Sequence, residues 1–205
     1  MIMPRIDDYF NAAKIATDAL ALESAKDILK RSGFEADAEG LRIPFLNRTF
    51  CLHIPGFVFS DTAAEPKDIP IQEQVLILHY LRARGLQFPT GNWIAYREIQ
   101  GASFYFSAFV KRAIDPLKNT FGSNIQGLVK AAKRLGGQAI PAGDAGFEFR
   151  VLPRIPIQLI LWEGDAEFPP EANILFDETI GDILSPEDVA WLAGMLVYRL
   201  MALSR

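Results

Sequence analysis

Residues 152–191 read LPRIPIQLILWEGDAEFPPEANILFDETIGDILSPEDVAW. Residues 155–162 form an apolar run broken only by Pro156 and Gln158, and the length and β-branched content suit a buried strand. Pro156 lies near the start of that run, where a missing ladder donor is tolerated. Glu163-Gly164-Asp165 is turn chemistry, and Phe168-Pro169-Pro170 enforces extended backbone beyond it. Residues 173–176 are a second apolar run, so the unit predicts two paired strands joined by an acidic crest. Ser185-Pro186-Glu187-Asp188 then opens a helix. Serine caps it, proline fits the first helical position, and the carboxylates suit the positive end of the dipole. Its stripe of Val189, Leu192, Ala193, Leu196, Val197, Leu200 and Met201 is expected to pack on the sheet containing residues 155–162.

The crest carries Glu163, Asp165 and Glu167, with Asp177 and Glu178 after the second run. Carboxylates brought together hold hard cations or raise one another's pKa, whereas a solvated turn does neither. The spacing is not that of a helical calcium hand. Two readings of the crest therefore stand: a polar surface turn, or one wall of a site.

Working outward, residues 91–98, GNWIAYRE, set Trp93 and Tyr96 beside Arg97 and Glu98. Aromatic rings with an arginine line ligand pockets, and they also fill cores. The pocket expected from these stretches has Trp93 and Trp162 as walls. Tyr96 lines it, and Arg97 and Arg154 receive a small anionic ligand. Asp165 and Glu167 receive a cation or proton, and Glu163 is a further ligand-binding residue. No metal ligand set and no cofactor can be named. Cys51 and His53 share one face of a predicted strand, but a reactive thiol needs an accessible, electropositive setting and their neighbours are apolar. His79 falls inside a predicted helix as an isolated histidine.

The rest of the chain completes an α+β fold: a mostly antiparallel sheet covered by helices, with long N-terminal and C-terminal helices, in one domain spanning residues 1–205. The first helix is expected from Asp7 or Asp8 to Arg31, closed by Ser32-Gly33. Residues 41–46 and 49–54 flank Asn47-Arg48 as a hairpin, and residues 57–59 add a short strand. Asp68 is expected to cap a helix ended by Gly85. Residues 103–121 read as an aromatic helix kinked or restarted at Pro116. Residues 125–135 form another helix. Strands at 139–141 and 147–152 then lead into the central run.

Composition bounds the function. A chain of 205 residues buries roughly 70% of its unfolded surface and needs no staple. Its net charge of -4 argues against binding nucleic acid through phosphate contacts. With one cysteine and two histidines, neither a disulfide nor a cysteine-rich cluster nor a three-histidine metal site can form within the chain. The opening MIMPRIDDYF lacks the apolar core of a signal peptide, and no run reaches the length of a membrane span. A cytoplasmic protein without a membrane partner is expected.

Three stretches, GNWIAYREIQGASFYFSAFVKR (91–112), AAKRLGG (131–137) and residues 152–189, resemble the family known as domain of unknown function 3786. The segment WEGDAEFP is the most specific part. The resemblance implies a protein of anaerobic bacteria or archaea working near redox or corrinoid enzymes. Some members carry a cysteine-rich region for an iron–sulfur cluster; this chain has none, so such a cluster would belong to a partner protein. No residue inherits a role. Three functions follow as expectations: binding of a small ligand near WEGDAEFP, docking as an accessory module on a redox or corrinoid partner, and divalent-metal hydrolysis on clustered carboxylates.

Overall fold

The computed structural model describes residues 6–37, 40–84 and 88–204. The backbone groups into two compact units, residues 1–86 and 87–205, each with its own antiparallel sheet. The α+β class is realised in both, with helices covering the sheets.

In the first unit, α1 (Ile6–Leu20) and α2 (Ala25–Ser32) replace the single long helix expected from the sequence. The break is a capping event. The Ser24 hydroxyl accepts from the Asp27 amide at 3.1 Å and starts a new helix, because a serine side chain competes with the backbone ladder. Gly33 closes α2 at φ 73°, as its lack of a Cβ permits. β1 (Glu35–Asp37), β2 (Gly40–Phe45), β3 (Arg48–His53) and β4 (Val58–Asp61) form a meander. In β2 the buried Leu41, Ile43 and Phe45 alternate with Arg42 and Pro44, the period of a half-buried strand. Phe45 pairs with Arg48, so the hairpin turns on Leu46-Asn47, one residue before the expected position, with Leu46 at φ 53°.

α3 (Ile71–Arg82) starts after Pro70; Asp68 does not cap it. Gly85, its expected stop, lies outside the described residues. Arg31 donates to the Leu81 carbonyl at 2.7 Å and Tyr80 to the Ser32 carbonyl at 2.6 Å, tying α2 to α3.

The second unit holds a five-stranded sheet of β5 (Trp93–Ala95), β6 (Gln138–Ile140), β7 (Ala145–Leu152), β8 (Ile155–Trp162) and β9 (Glu171–Asp177), in the order β5-β9-β8-β7-β6. β8 has the expected bounds. Its residues are buried on both faces except at Gln158 and Trp162, which is why its sequence reads as a nearly continuous apolar run.

The expected aromatic helix is instead α4 (Phe106–Phe109), a π-turn (Val110–Ile114) and α5 (Asp115–Phe121). Pro116 accounts for the π-turn: it lacks an amide for the carbonyl four residues back, Arg112, and its ring crowds that carbonyl. α6 (Ile125–Arg134) follows, capped by Asn124, and a short α7 (Ile180–Ile183) precedes α8 (Pro186–Leu203). The Ser185 hydroxyl caps α8 through the Asp188 amide at 3.2 Å.

α4, the π-turn, α5 and α6 approach α8 closely. Its buried residues, Ala190, Gly194 and Leu196 among them, extend beyond one stripe, and a helix buried that broadly seats among helices. Gly194 makes the approach possible: a Cβ there would stand 3.2 Å from the Arg112 carbonyl that Pro116 frees.

Candidate functional site: an aromatic and acidic crest

Strand register decides which expected site residues meet. Trp162 pairs with Glu171 at one end of β9, while Trp93 pairs with Asp177 at the other. Six residue steps along a strand span about 20 Å. The expected pocket between the crest and the Trp93–Arg97 segment therefore does not form, and Asp177 and Glu178 do not join the crest carboxylates.

At the far end, Asp177 is buried and accepts from the Gly91 amide at 2.7 Å and the Thr179 hydroxyl at 2.8 Å. Burial pushes its carboxyl up, but these donors outweigh it and hold the group below the usual range. Glu178 accepts from Thr90 at 2.9 Å and Asn92 at 2.8 Å. Both acids thus clamp the loop before β5. Trp93 is half-buried on β5. The Arg154 guanidinium, in the β7–β8 turn, stacks 3.6 Å from the Phe88 ring centre.

Tyr96 is a core residue, not a pocket wall. It stacks on Phe109 at 4.2 Å, its hydroxyl donates to the Pro186 carbonyl at 2.7 Å, and burial raises its phenol well above the ordinary value. Arg97 lies over the Phe106 ring at 3.7 Å, while Glu98 accepts from the Ala95 amide at 2.6 Å, so these neighbours do not pair with each other.

The crest itself, residues 163–170, is a built loop. The Glu163 amide donates to Asp144 at 2.8 Å and the Gly164 amide to the Gly122 carbonyl at 2.9 Å. One oxygen of Asp165 accepts from the amides of Phe168 at 2.7 Å and Glu167 at 2.8 Å. Those two donors hold the Asp165 carboxyl below its ordinary value, so it is ionised at neutral pH and serves as a turn anchor, not as an acid. Pro170 wedges between two glycines: a Cβ would meet it at 2.4 Å from Gly122 and at 2.7 Å from Gly164.

The loop presents Trp162, 43% exposed, and Phe168, 68% exposed, among Glu163, Glu167 and Glu171. Lys118 approaches Glu171 at 3.9 Å. Pro170 was legible in the Phe168-Pro169-Pro170 run, whereas the support that Asp144 and Gly122 give this loop was not, since both act across the fold.

Among the described residues, no group of three or more His, Cys, Asp or Glu side chains is placed to hold a metal ion. Cys51 is buried, and His53 shares a 2.9 Å hydrogen bond with Ser60. An open groove of about 430 Å³ lies in the first unit, lined by Lys26, Leu29, Asp37, Leu41 and Ile54 among others. It contains none of the expected site residues. No helix among the described residues is long and apolar enough to cross a membrane.

No curated protein and no solved structure matches the chain. The family described as Domain of unknown function (DUF3786) matches residues 24–199, which takes in all of the crest, both aromatic stretches and the second sheet. The chain belongs to that family.

Proposed function

We propose that the protein is a cytoplasmic accessory module that docks a basic surface of a partner protein on its crest. The observation that carries this reading is the fixed projection of Phe168 and Trp162 from a loop rimmed by Glu163, Glu167 and Glu171. Rigid exposed aromatics lose little entropy on binding and act as anchors, while the acidic rim steers a positively charged partner and sets register. The net charge of -4 adds to that steering. The family resemblance directs the search toward redox and corrinoid proteins. A hydrolytic reading on clustered carboxylates gains no support, because Asp165 is engaged by backbone amides and Asp177 stands at the other end of β9.

A photo-reactive phenylalanine analogue at position 168 of the full chain tests the proposal. The expected outcome is a crosslink to one protein with a basic surface, with a yield that falls as salt rises and disappears in E163K/E167K. A crosslink indifferent to salt and to that double variant, or none in a lysate of the host, overturns it.

A further inference from the structure

The face between the π-turn and α8 holds an arginine that the fold leaves incompletely partnered. We infer that Arg112 and Trp191 form a binding site for a small oxyanion, the carboxylate or phosphate group of a small molecule, independent of the crest.

Local sequence places the arginine. Pro116 imposes the π-turn that carries Arg112, and Gly194 lets α8 approach that turn closely. Trp191, one helical turn before Gly194, then meets the guanidinium, whose central carbon stands 4.2 Å from the indole ring centre.

The bonding is incomplete. Nη1 of Arg112 is buried and has no hydrogen-bond partner, and no carboxylate lies within ion-pair distance of the side chain among the described residues. A buried charged donor without a partner is costly, and such groups are found satisfied by a ligand, an ion or ordered water. On the first turn of α8, the charge of Glu187 bears on the Tyr105 phenol and pushes it up, and Asp188 accepts from the Ser185 hydroxyl at 2.8 Å.

The geometry selects the ligand. A guanidinium lying over an aromatic face keeps its N–H donors in its own plane, at the edge, where a planar or tetrahedral oxyanion accepts them as a fork without disturbing the stacking. The residue is half-buried as a whole, and its Nη1 is fully buried. The partial burial strengthens the charge-assisted bonds relative to those of an exposed arginine.

Trp191 is also the reporter. The chain has three tryptophans, and W93F/W162F leaves Trp191 alone. This full-length variant is titrated with inorganic phosphate and separately with acetate, each to about 10 mM, a range that captures dissociation constants near 1 mM. Ionic strength is held constant with sodium chloride. The expected result is a saturable change in Trp191 emission with at least one of the two anions, abolished by adding Arg112→Gln. Arg112→Lys keeps the charge but not the fork, and is expected to weaken binding at least tenfold. The two anions distinguish a phosphate from a carboxylate ligand. Absence of a saturable response to both anions overturns the inference. So does an equal response to chloride, or an unchanged response in R112Q or, should that variant not fold, in R112K. Phe168→Ala, which addresses the crest, leaves the Trp191 titration unchanged if the two sites are separate.

Discussion

At the scale of single residues, charge in this protein is spent largely on fixing backbone. Asp165 is exposed, yet it organises the crest through two amides. Asp165→Ala is expected to remove exchange protection at the Glu167 and Phe168 amides while changing the global unfolding midpoint little, which hydrogen-exchange mass spectrometry checks. Asp61 illustrates the linkage of charge to stability. The hydrogen bond from Arg48, at 2.8 Å, leads the causes that hold its carboxyl at about 2, below the ordinary value. A depressed folded-state pKa means that the contribution is fully present above the unfolded carboxyl value and is lost as pH falls through the folded one. The stability of the first unit should therefore decline between about pH 4 and about pH 2. In Asp61→Asn that segment of the decline should flatten, as urea midpoints measured across the window would reveal.

At the scale of elements, close approach governs. Gly122 ends α5 where Pro170 of the crest rests on it, and an added Cβ would meet the proline at 2.4 Å. Gly122→Ala is expected to cost roughly 1–3 kcal/mol, the usual range for overpacking, and to displace residues 163–170. Calorimetry would give the first effect and exchange at the Gly164 amide the second. Tyr96 fastens the short turn after β5 to the start of α8 through the Pro186 carbonyl. Tyr96→Phe keeps the stack on Phe109 but removes that bond, for an expected loss of about 0.5–1.5 kcal/mol in chemical denaturation.

At the scale of the whole molecule, the two units each carry a sheet and buried apolar side chains of their own. Residues 87–205 contain the crest, its supports Gly122 and Asp144, and the Arg112–Trp191 face. Made alone, that segment is expected to unfold cooperatively and to keep the exchange protection of the Asp165 turn. A non-cooperative melt would show that its sheet depends on the first unit. Domains of this size commonly support an independent core.

The sequence by itself determined the elements whose signals are local. The apolar run at 155–162 became β8 with the expected bounds, and Ser185-Pro186 opened α8 because cap and first-turn chemistry act within four residues. The α+β class followed from the alternation of such signals. Ser24 was just as local, and its capping oxygen ended a helix that the apolar period alone would have continued. Which residues meet was decided by tertiary structure. Trp93 and Trp162 read equally well as two walls of one pocket, until their pairings with Asp177 and Glu171 set them at opposite ends of β9. Arg112 gave no sign of its role, since Pro116 frees its carbonyl, Gly194 admits α8 and Trp191 covers the guanidinium from another element. Caps and strand runs are set by bonds within a few residues, whereas pockets and stacked cations arise from strand register and helix packing across many tens of residues of chain.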